Sequence, residues 1–202
     1  MIQPFQYRAS AAPPYTAFSA AVMILFCGGC LPKLSPDDLS QLRPQRPPEL
    51  EKLNMLLGEW ETTGEIRMAV LDAPIHTKGK NRATWSLDGR VVLDQAELDM
   101  GPLGPMTGMS LWTWDPQSKK YHMHWFDSFG ETSFATVSYH AGSKTWRMKA
   151  RGQKYGHSTA GHGTLRAIDA DTLEWTWNET DSLGWINFAE MKGISRRVKG
   201  AS

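Results

Sequence analysis

From Gly58 onward the chain is interrupted by turn signals at short, regular intervals. They fall at Asp72-Ala73-Pro74, Asp88-Gly89, Met100 to Pro105, Asp115 to Lys119, Asp127 to Gly130, Ala141 to Ser143, Gly152 to Gly156, Asp169 to Asp171 and Asp181 to Gly184. Each carries Gly, Pro or Asp, residues that favour or tolerate the backbone angles of a chain reversal. The runs between them are rich in Trp, Thr, Val and Tyr and show no helical period. Nine turns leave about ten strands. Without helical crossovers, consecutive strands must pair antiparallel. Such a succession either splits into two sheets or closes on itself, and closure removes both unpaired edges. The expected fold is all-β: a single antiparallel up-and-down barrel of about ten strands with one short N-terminal helix. An immunoglobulin-type sandwich is the alternative, but its Cys-Trp-Cys spacing is missing.

Pro48 followed by ELEKLNMLLG predicts that helix. Pro stands at its start, Glu49 and Glu51 fall in the first turn, where the helix dipole favours acids, and Gly58 follows its end. Leu50, Leu53, Met55 and Leu57 give it an apolar side.

One hairpin can be aligned from its side chains. Ser110–Asp115 and Lys120–Asp127 flank the turn PQSK. With an even loop, Trp114 faces Tyr121, Trp112 faces Met123 and Ser110 faces Trp125, which gathers the large apolar residues on one side. Leu111, Thr113, His122 and His124 take the other. A slip of one residue would reverse every side chain, so the aromatic match selects the even loop and points that side inward. Trp175 and Trp177 alternate with Glu174, Thr176 and Asn178 and supply a second aromatic wall.

The first 48 residues read differently. Ala17–Phe26 (AFSAAVMILF) is an uncharged run after Arg8 and before Cys27-Gly28-Gly29-Cys30. As a helix it covers about 15 Å, roughly half a bilayer core, too little for a stable span. A basic residue, a short apolar stretch and small residues at the cut site are the parts of a secretory signal. Small residues directly before a cysteine resemble the lipobox of bacterial lipoproteins, which makes Cys30 the lipid-modified first residue. Cys27 departs from that motif, where an aliphatic residue is usual. A redox reading of Cys-Gly-Gly-Cys would need a strand before it and a helix after it. The expected organisation is a lipoprotein-type signal peptide at 1–29, a Pro-rich linker at 30–48, the barrel at 49–198 and a tail at 199–202. Five prolines between Leu31 and Pro48 suit an extended spacer. An exported protein held by lipid to a bacterial envelope membrane follows.

Composition narrows the function classes. Lys and Arg number 22 against 21 Asp and Glu, a net charge of +1, so the basic excess of a nucleic-acid binder is missing and no such partner is expected. Gly58-Glu59-Trp60, opening the first strand after the helix, resembles the Gly-x-Trp start of the calycin superfamily (lipocalins and fatty-acid-binding proteins). That resemblance implies that Trp60 plugs a barrel end beneath a basic residue of the last strand, Arg196 or Arg197. A second stretch, Trp114-Asp115-Pro116, Lys120-Tyr121 and Trp125-Phe126-Asp127-Ser128-Phe129-Gly130, resembles the core motif of the bacterial domain-of-unknown-function family 1579. Thr113-Trp114-Asp115 stands where that family commonly has Gly-Tyr-Asp. The resemblance spans residues 49–198 and implies a calycin-like barrel, often secreted, with no reaction attached.

Candidate chemistry is sparse. His122 and His124 form His-x-His on one strand, a spacing that metal sites on β-structure use. Their side is the outward one, and His140 falls about 13 Å along the next strand from His122. No metal is expected. His157 and His162 lie in the Gly-rich GHSTAGHG, which reads as a loop with a bulge, or a flexible rim. The haem-binding nitrobindin barrels use a His as iron ligand, but their Gly-rich opening motif is missing, since Gly58 is followed by EWETTGEI. No phosphate loop or His-Glu-x-x-His occurs, and no cofactor is expected. Asp127-Ser128 before Gly130 reads as turn chemistry, and no nucleophile elbow surrounds that serine. Glu97, Asp99, Glu174, Glu179 and Glu190 are free carboxylates whose convergence alternation alone does not show.

The Trp and Met residues either fill the barrel or line a cavity. The leading expectation is a binder of a small apolar or amphipathic ligand, lined by Trp112, Trp114, Tyr121, Met123, Trp125, Trp175 and Trp177. The alternatives are an enzyme, a hydrolase or isomerase using Asp127 in the same cavity, and a ligand-free interaction module of the envelope.

Overall fold

The computed structural model describes Ser35 and residues 45–154 and 156–199. Cys30, the apolar run before it and most of the expected linker lie outside the described residues. By its contacts the chain divides into residues 1–45 and 46–202, and the second unit carries every strand described below.

Ten strands follow one another: β1 (Gly58–Met68), β2 (Ile75–Ser86), β3 (Val91–Asp99), β4 (Pro105–Asp115), β5 (Lys120–Asp127), β6 (Thr132–His140), β7 (Thr145–Lys154), β8 (His157–Ala167), β9 (Thr172–Asp181) and β10 (Asn187–Arg197). Each pairs antiparallel with its chain neighbours, and β1 pairs with β10 from Trp60↔Arg197 to Met68↔Ala189, which closes the barrel. The turns work as their residue types suggest. Asp127 Oδ1 accepts the backbone N–H groups of Phe129 and Glu131 at 3.0 Å each, and Asp115 Oδ1 accepts that of Gln117 at 2.9 Å. Between β2 and β3, Leu87 and Asp88 take φ of 49° and 55°, the left-handed angles whose twist matches a hairpin.

The β4–β5 hairpin has the register expected from its even loop, with Ser110 opposite Trp125, Trp112 opposite Met123 and Trp114 opposite Tyr121. The stretch GHSTAGHG, expected as a loop, is instead most of β8. Its inward glycines, Gly161 and Gly163, are strand positions kept bare for the Trp177 indole of β9.

Antiparallel succession puts the β2–β3, β4–β5, β6–β7 and β8–β9 turns at one end, here the floor, and the remaining five at the other, the mouth. Pro48–Leu56 winds as a 3-10 helix that packs Leu50, Leu53 and Leu56 into the floor core beside Val92, Trp112, Tyr121, Val137 and Trp146. Barrel side chains satisfy the polar groups of this helix, which otherwise have no partner at its ends. Tyr121 Oη donates to Glu49 O at 2.7 Å, Trp60 Nε1 to Leu56 O at 2.9 Å and Trp85 Nε1 to Asn54 Oδ1 at 3.0 Å. Arg197 donates to Leu57 O, and its guanidinium carbon sits 4.1 Å from the centre of the Trp60 ring. Of the two arginines considered for that stack, Arg197 makes it, and Arg196 is exposed on the outer face.

Candidate functional site

The interior is built in two ways along its height. In the floor half the rings touch each other: Trp114 and Tyr121 lie 4.6 Å apart between centroids, Tyr121 and Trp146 4.8 Å, and Tyr139 and Trp146 4.5 Å. Trp112, Tyr121, Met123 and Trp146 are buried and form one packed cluster with the helix residues Leu50, Leu53 and Leu56.

In the mouth half the rings lie along the wall instead. Strand register points Trp125, Trp175 and Trp177 inward, yet all three are only half-buried. Trp125 rests over Gly108 of β4, Trp177 over Gly161 and Gly163 of β8, and Trp175 over the Gly193–Gly64 pair of β10 and β1. A Cβ at any of these glycines would run into the indole. Bare backbone on the neighbouring strand therefore gives each ring a slot against the wall; Trp125 and Trp177 also touch the floor core, and Trp125 and Met191 pack on a second buried cluster of Ile66, Ile75, Met100, Met106 and Ala189. Gly64, Gly108, Gly161 and Gly193 stay partly exposed on this inner face, as do Asn81, Leu98 and Met191.

A polar strip crosses the wall at the border of the two halves. The Ser195 and Thr62 hydroxyls lie 2.7 Å apart, Thr62 donates to Asn81 Oδ1 at 3.2 Å, and Asn81 Nδ2 donates to Asp94 Oδ1 at 2.9 Å. Ser110 receives the Trp112 indole N–H at 2.8 Å and hydrogen-bonds Asp94. Burial pushes the Asp94 carboxyl above its ordinary value, although Asn81 and Ser110 pull the other way.

Nearer the mouth, Lys154 at the end of β7 reaches across β8 to Glu179 on β9, with Nζ 3.0 Å from Glu179 Oε2 and 3.0 Å from Glu131 Oε2. The small inner residues Thr159 and Gly161 clear the way, Gly161 being the register partner of Glu179. Burial alone would lower the Lys154 ammonium, but the two carboxylates outweigh it and push its pKa up to about 12. Burial also raises the Glu131 carboxyl, against the pull of Lys154. Glu179 is 3% exposed, and its Oε1 is buried without a hydrogen-bond partner among the described residues. Beside this group a cavity of about 290 Å³ is lined by Arg151, Gly152, Ser158, Thr159 and Ser182.

The remaining candidate residues are placed apart from this interior. His122 and His124 face outward, both against the ring of Phe134, at 4.9 Å and 4.7 Å. His122 pairs with Thr136, so His140 lies far along β6 from it. Among the described residues no three His, Cys, Asp or Glu side chains are grouped as metal ligands. His157 and His162 are exposed on β8. Asp127 is spent on its own turn and on Trp125, whose Nε1 donates to Oδ2 at 3.0 Å, while Ser128 Oγ accepts the Thr107 N–H at 3.1 Å. Of the free carboxylates, Glu97 and Asp99 are exposed, Glu174 pairs with Arg166 at 2.7 Å, and Glu190 accepts from Asn187 at 2.9 Å. Glu179 alone of that set turns inward.

Sequence reasoning missed Lys154, Glu131 and Asp94. Parity held the signal: once Trp177 is set inward, Glu179 two residues on must share its face, and a buried carboxylate requires a partner.

The mouth is rimmed by apolar residues. Val70 and Leu71 in the β1–β2 turn and Leu183, Trp185 and Ile186 in the β9–β10 turn are exposed, Val70 and Trp185 at 83% each. The two turns adjoin, Ala69 N–H donating to Phe188 O at 3.2 Å. A groove of about 300 Å³ is lined mainly by outward polar residues but also by Trp177 and Met191, and its Glu65 is already paired with Arg67 and Lys192.

No curated protein matches this chain in sequence. Its fold is similar to that of Rv2717c from M. tuberculosis, with TM-score 0.60 and 14% identity over 77% of this chain and 100% of that one. It is also similar to the S-type phycobiliprotein lyase CPES from Guillardia theta, with TM-score 0.54 and 10% identity over 78% of this chain and 99% of that one. The family model for the protein of unknown function DUF1579 matches residues 45–192, and the chain belongs to that family.

Proposed function

We propose that this protein is a calycin-like carrier that holds a small apolar or amphipathic molecule in the mouth half of its interior. One observation carries the reading: three inward indoles are drawn back onto glycines and stay only partly buried, so an aromatic wall is accessible inside the barrel. Side chains that served only to fill the barrel would meet across it, as they do at the floor. Trp125, Trp175, Trp177 and Met191 are the ligand-facing set, whereas Trp112, Trp114, Tyr121 and Met123 of the originally expected lining belong to the packed floor. The apolar rim supports entry at the mouth. The likeness to a phycobiliprotein lyase supports a small-molecule role only through the shared fold.

Titration of the full chain with 1-octanol tests this. A saturable change in tryptophan emission is expected, weakened about tenfold or more in the Trp125→Ala variant; an unsaturable or absent response contradicts the reading. We further propose that the protein is exported and anchored through lipid on Cys30. Cys30→Ser then moves it from the membrane fraction to the soluble one, and unchanged partitioning refutes the anchor.

A further inference from the structure

A buried carboxylate and a half-buried one at the mouth share a single ammonium. Lys154 Nζ bonds Oε2 of both Glu131 and Glu179 at 3.0 Å, so one positive charge faces two negative ones. Asp127, whose oxygens are taken up by its own turn and by Trp125, still lies near enough to add its negative charge at Glu131. The wall is thus acidic there, in surroundings where burial already weighs against charge, as the raised carboxyl of Glu131 shows. Glu179 sharpens the point. It is 97% buried by its 3% exposure, it faces inward, and Oε1 has no donor among the described residues. A buried acceptor left open costs on the order of 1–3 kcal/mol, and a donor supplied from within the barrel recovers that. The ring of Trp177 lies over Gly161, the register partner of Glu179, so an indole shares this stretch of the inner face with the carboxylate. An aromatic ring beside carboxylates is a setting that attracts organic cations through the ring quadrupole as well as through charge.

We propose that the Glu131–Lys154–Glu179 group is the headgroup site of the cavity and selects ligands that carry an ammonium on an apolar body. The ammonium donates to Glu179 Oε1 and supplies the second positive charge, while the apolar body lies between Trp125, Trp175 and Trp177. The proposal rests on the binding reading given above and adds the ligand class to it. An anionic headgroup is disfavoured there, because it would have to break Lys154 from a carboxylate to be accommodated.

Three probes of one chain length separate the two ideas: 1-octanol, octylammonium and octanoate, each titrated into the full chain near neutral pH and followed by tryptophan emission. Octylammonium should bind at least tenfold more tightly than octanoate, and more tightly than octanol. Glu179→Gln, which keeps the shape of the side chain, should remove most of that preference, read as the ratio of octylammonium to octanol affinity. Glu131→Gln, at a less buried position, should reduce the preference in the same direction and serves if the first variant is unstable. Octanol binding without preference for the ammonium, or with preference for octanoate, overturns the headgroup site and leaves the carrier reading standing. Absence of octanol binding overturns the carrier reading itself. An ammonium preference that survives both substitutions unchanged also overturns the assignment of these residues.

Discussion

Floor and mouth use the same residue types to opposite ends. At the floor, Trp112, Trp146 and Tyr121 pack ring to ring, and the polar tips of Trp60, Trp146 and Tyr121 end on the helix Pro48–Leu56. At the mouth, Trp125, Trp175 and Trp177 lean on glycines, and the polar groups beside them are charged and incompletely satisfied. The difference is set by the neighbour on the adjoining strand. Trp146 sits opposite Tyr139 and Leu165, large residues that hold it off the wall, while Trp177 sits opposite Gly163 and Met191. Tryptophan content alone therefore does not distinguish a core from a lining; the cross-strand partner does.

The contrast can be broken most forcefully at the floor. Trp146→Ala removes a ring that is 0% exposed and contacts Trp112, Tyr121 and Tyr139, so it should cost about 3–5 kcal/mol of unfolding free energy in a urea titration. Trp177→Ala, by the same measurement, should cost less than half as much, since its side chain is only partly buried. Equal losses would mean that the mouth is packed like the floor.

A smaller effect is expected when the slots are filled. Gly161→Ala places a methyl group against the Trp177 ring and should cost about 1–3 kcal/mol while shifting tryptophan emission. A neutral substitution there would show that the indole does not need its slot. Arg197→Met keeps much of the bulk over Trp60 but loses the cation–π contact and the donors to the helix carbonyls. About 1–2 kcal/mol should be lost, read as a lower urea midpoint with unchanged slope.

The polar strip offers a test in pH. Because burial raises the folded-state pKa of Asp94, the folded protein binds the proton more tightly than the unfolded chain. The stability this contributes is fully present below the unfolded carboxyl value and is lost as pH rises through the folded one. Asp94→Asn keeps acceptor and shape without the charge, so the variant should be the more stable protein at pH 7, with its advantage shrinking toward pH 4. An advantage that stays constant with pH would place the cause elsewhere. The least effect belongs to the β2–β3 turn, where Leu87 is 70% exposed at a φ of 49°. Leu87→Gly should gain about 0.5–1 kcal/mol by relieving a left-handed leucine, and a loss would assign the side chain a packing role.

Much of the architecture was legible in the chain because turns and alternation are local. Asp115 and Asp127 cap the turns they were expected to make, and the match of Trp112 to Met123 holds β4 and β5 in register. The lining was legible only in part. Trp112 and Trp125 lie on the same inner face, and sequence alternation treats them alike; Trp125 rests on Gly108 of its own hairpin, whereas only the curved barrel brings Trp112 to Trp146. GHSTAGHG misled for a related reason. Glycines lower strand propensity when read locally, but here they are what Trp177 requires of the strand beside it. The link from Lys154 to Glu179 crosses a whole strand, and no local spacing encodes it.

The division of the interior can be tested ring by ring, because each indole N–H gives its own NMR resonance. On titration with 1-octanol, the Nε1–H signals of Trp125, Trp175 and Trp177 should move and saturate together, while those of Trp60, Trp112 and Trp146 stay in place. Floor resonances that move as far as those at the mouth, or mouth resonances that do not move at all, would contradict the account.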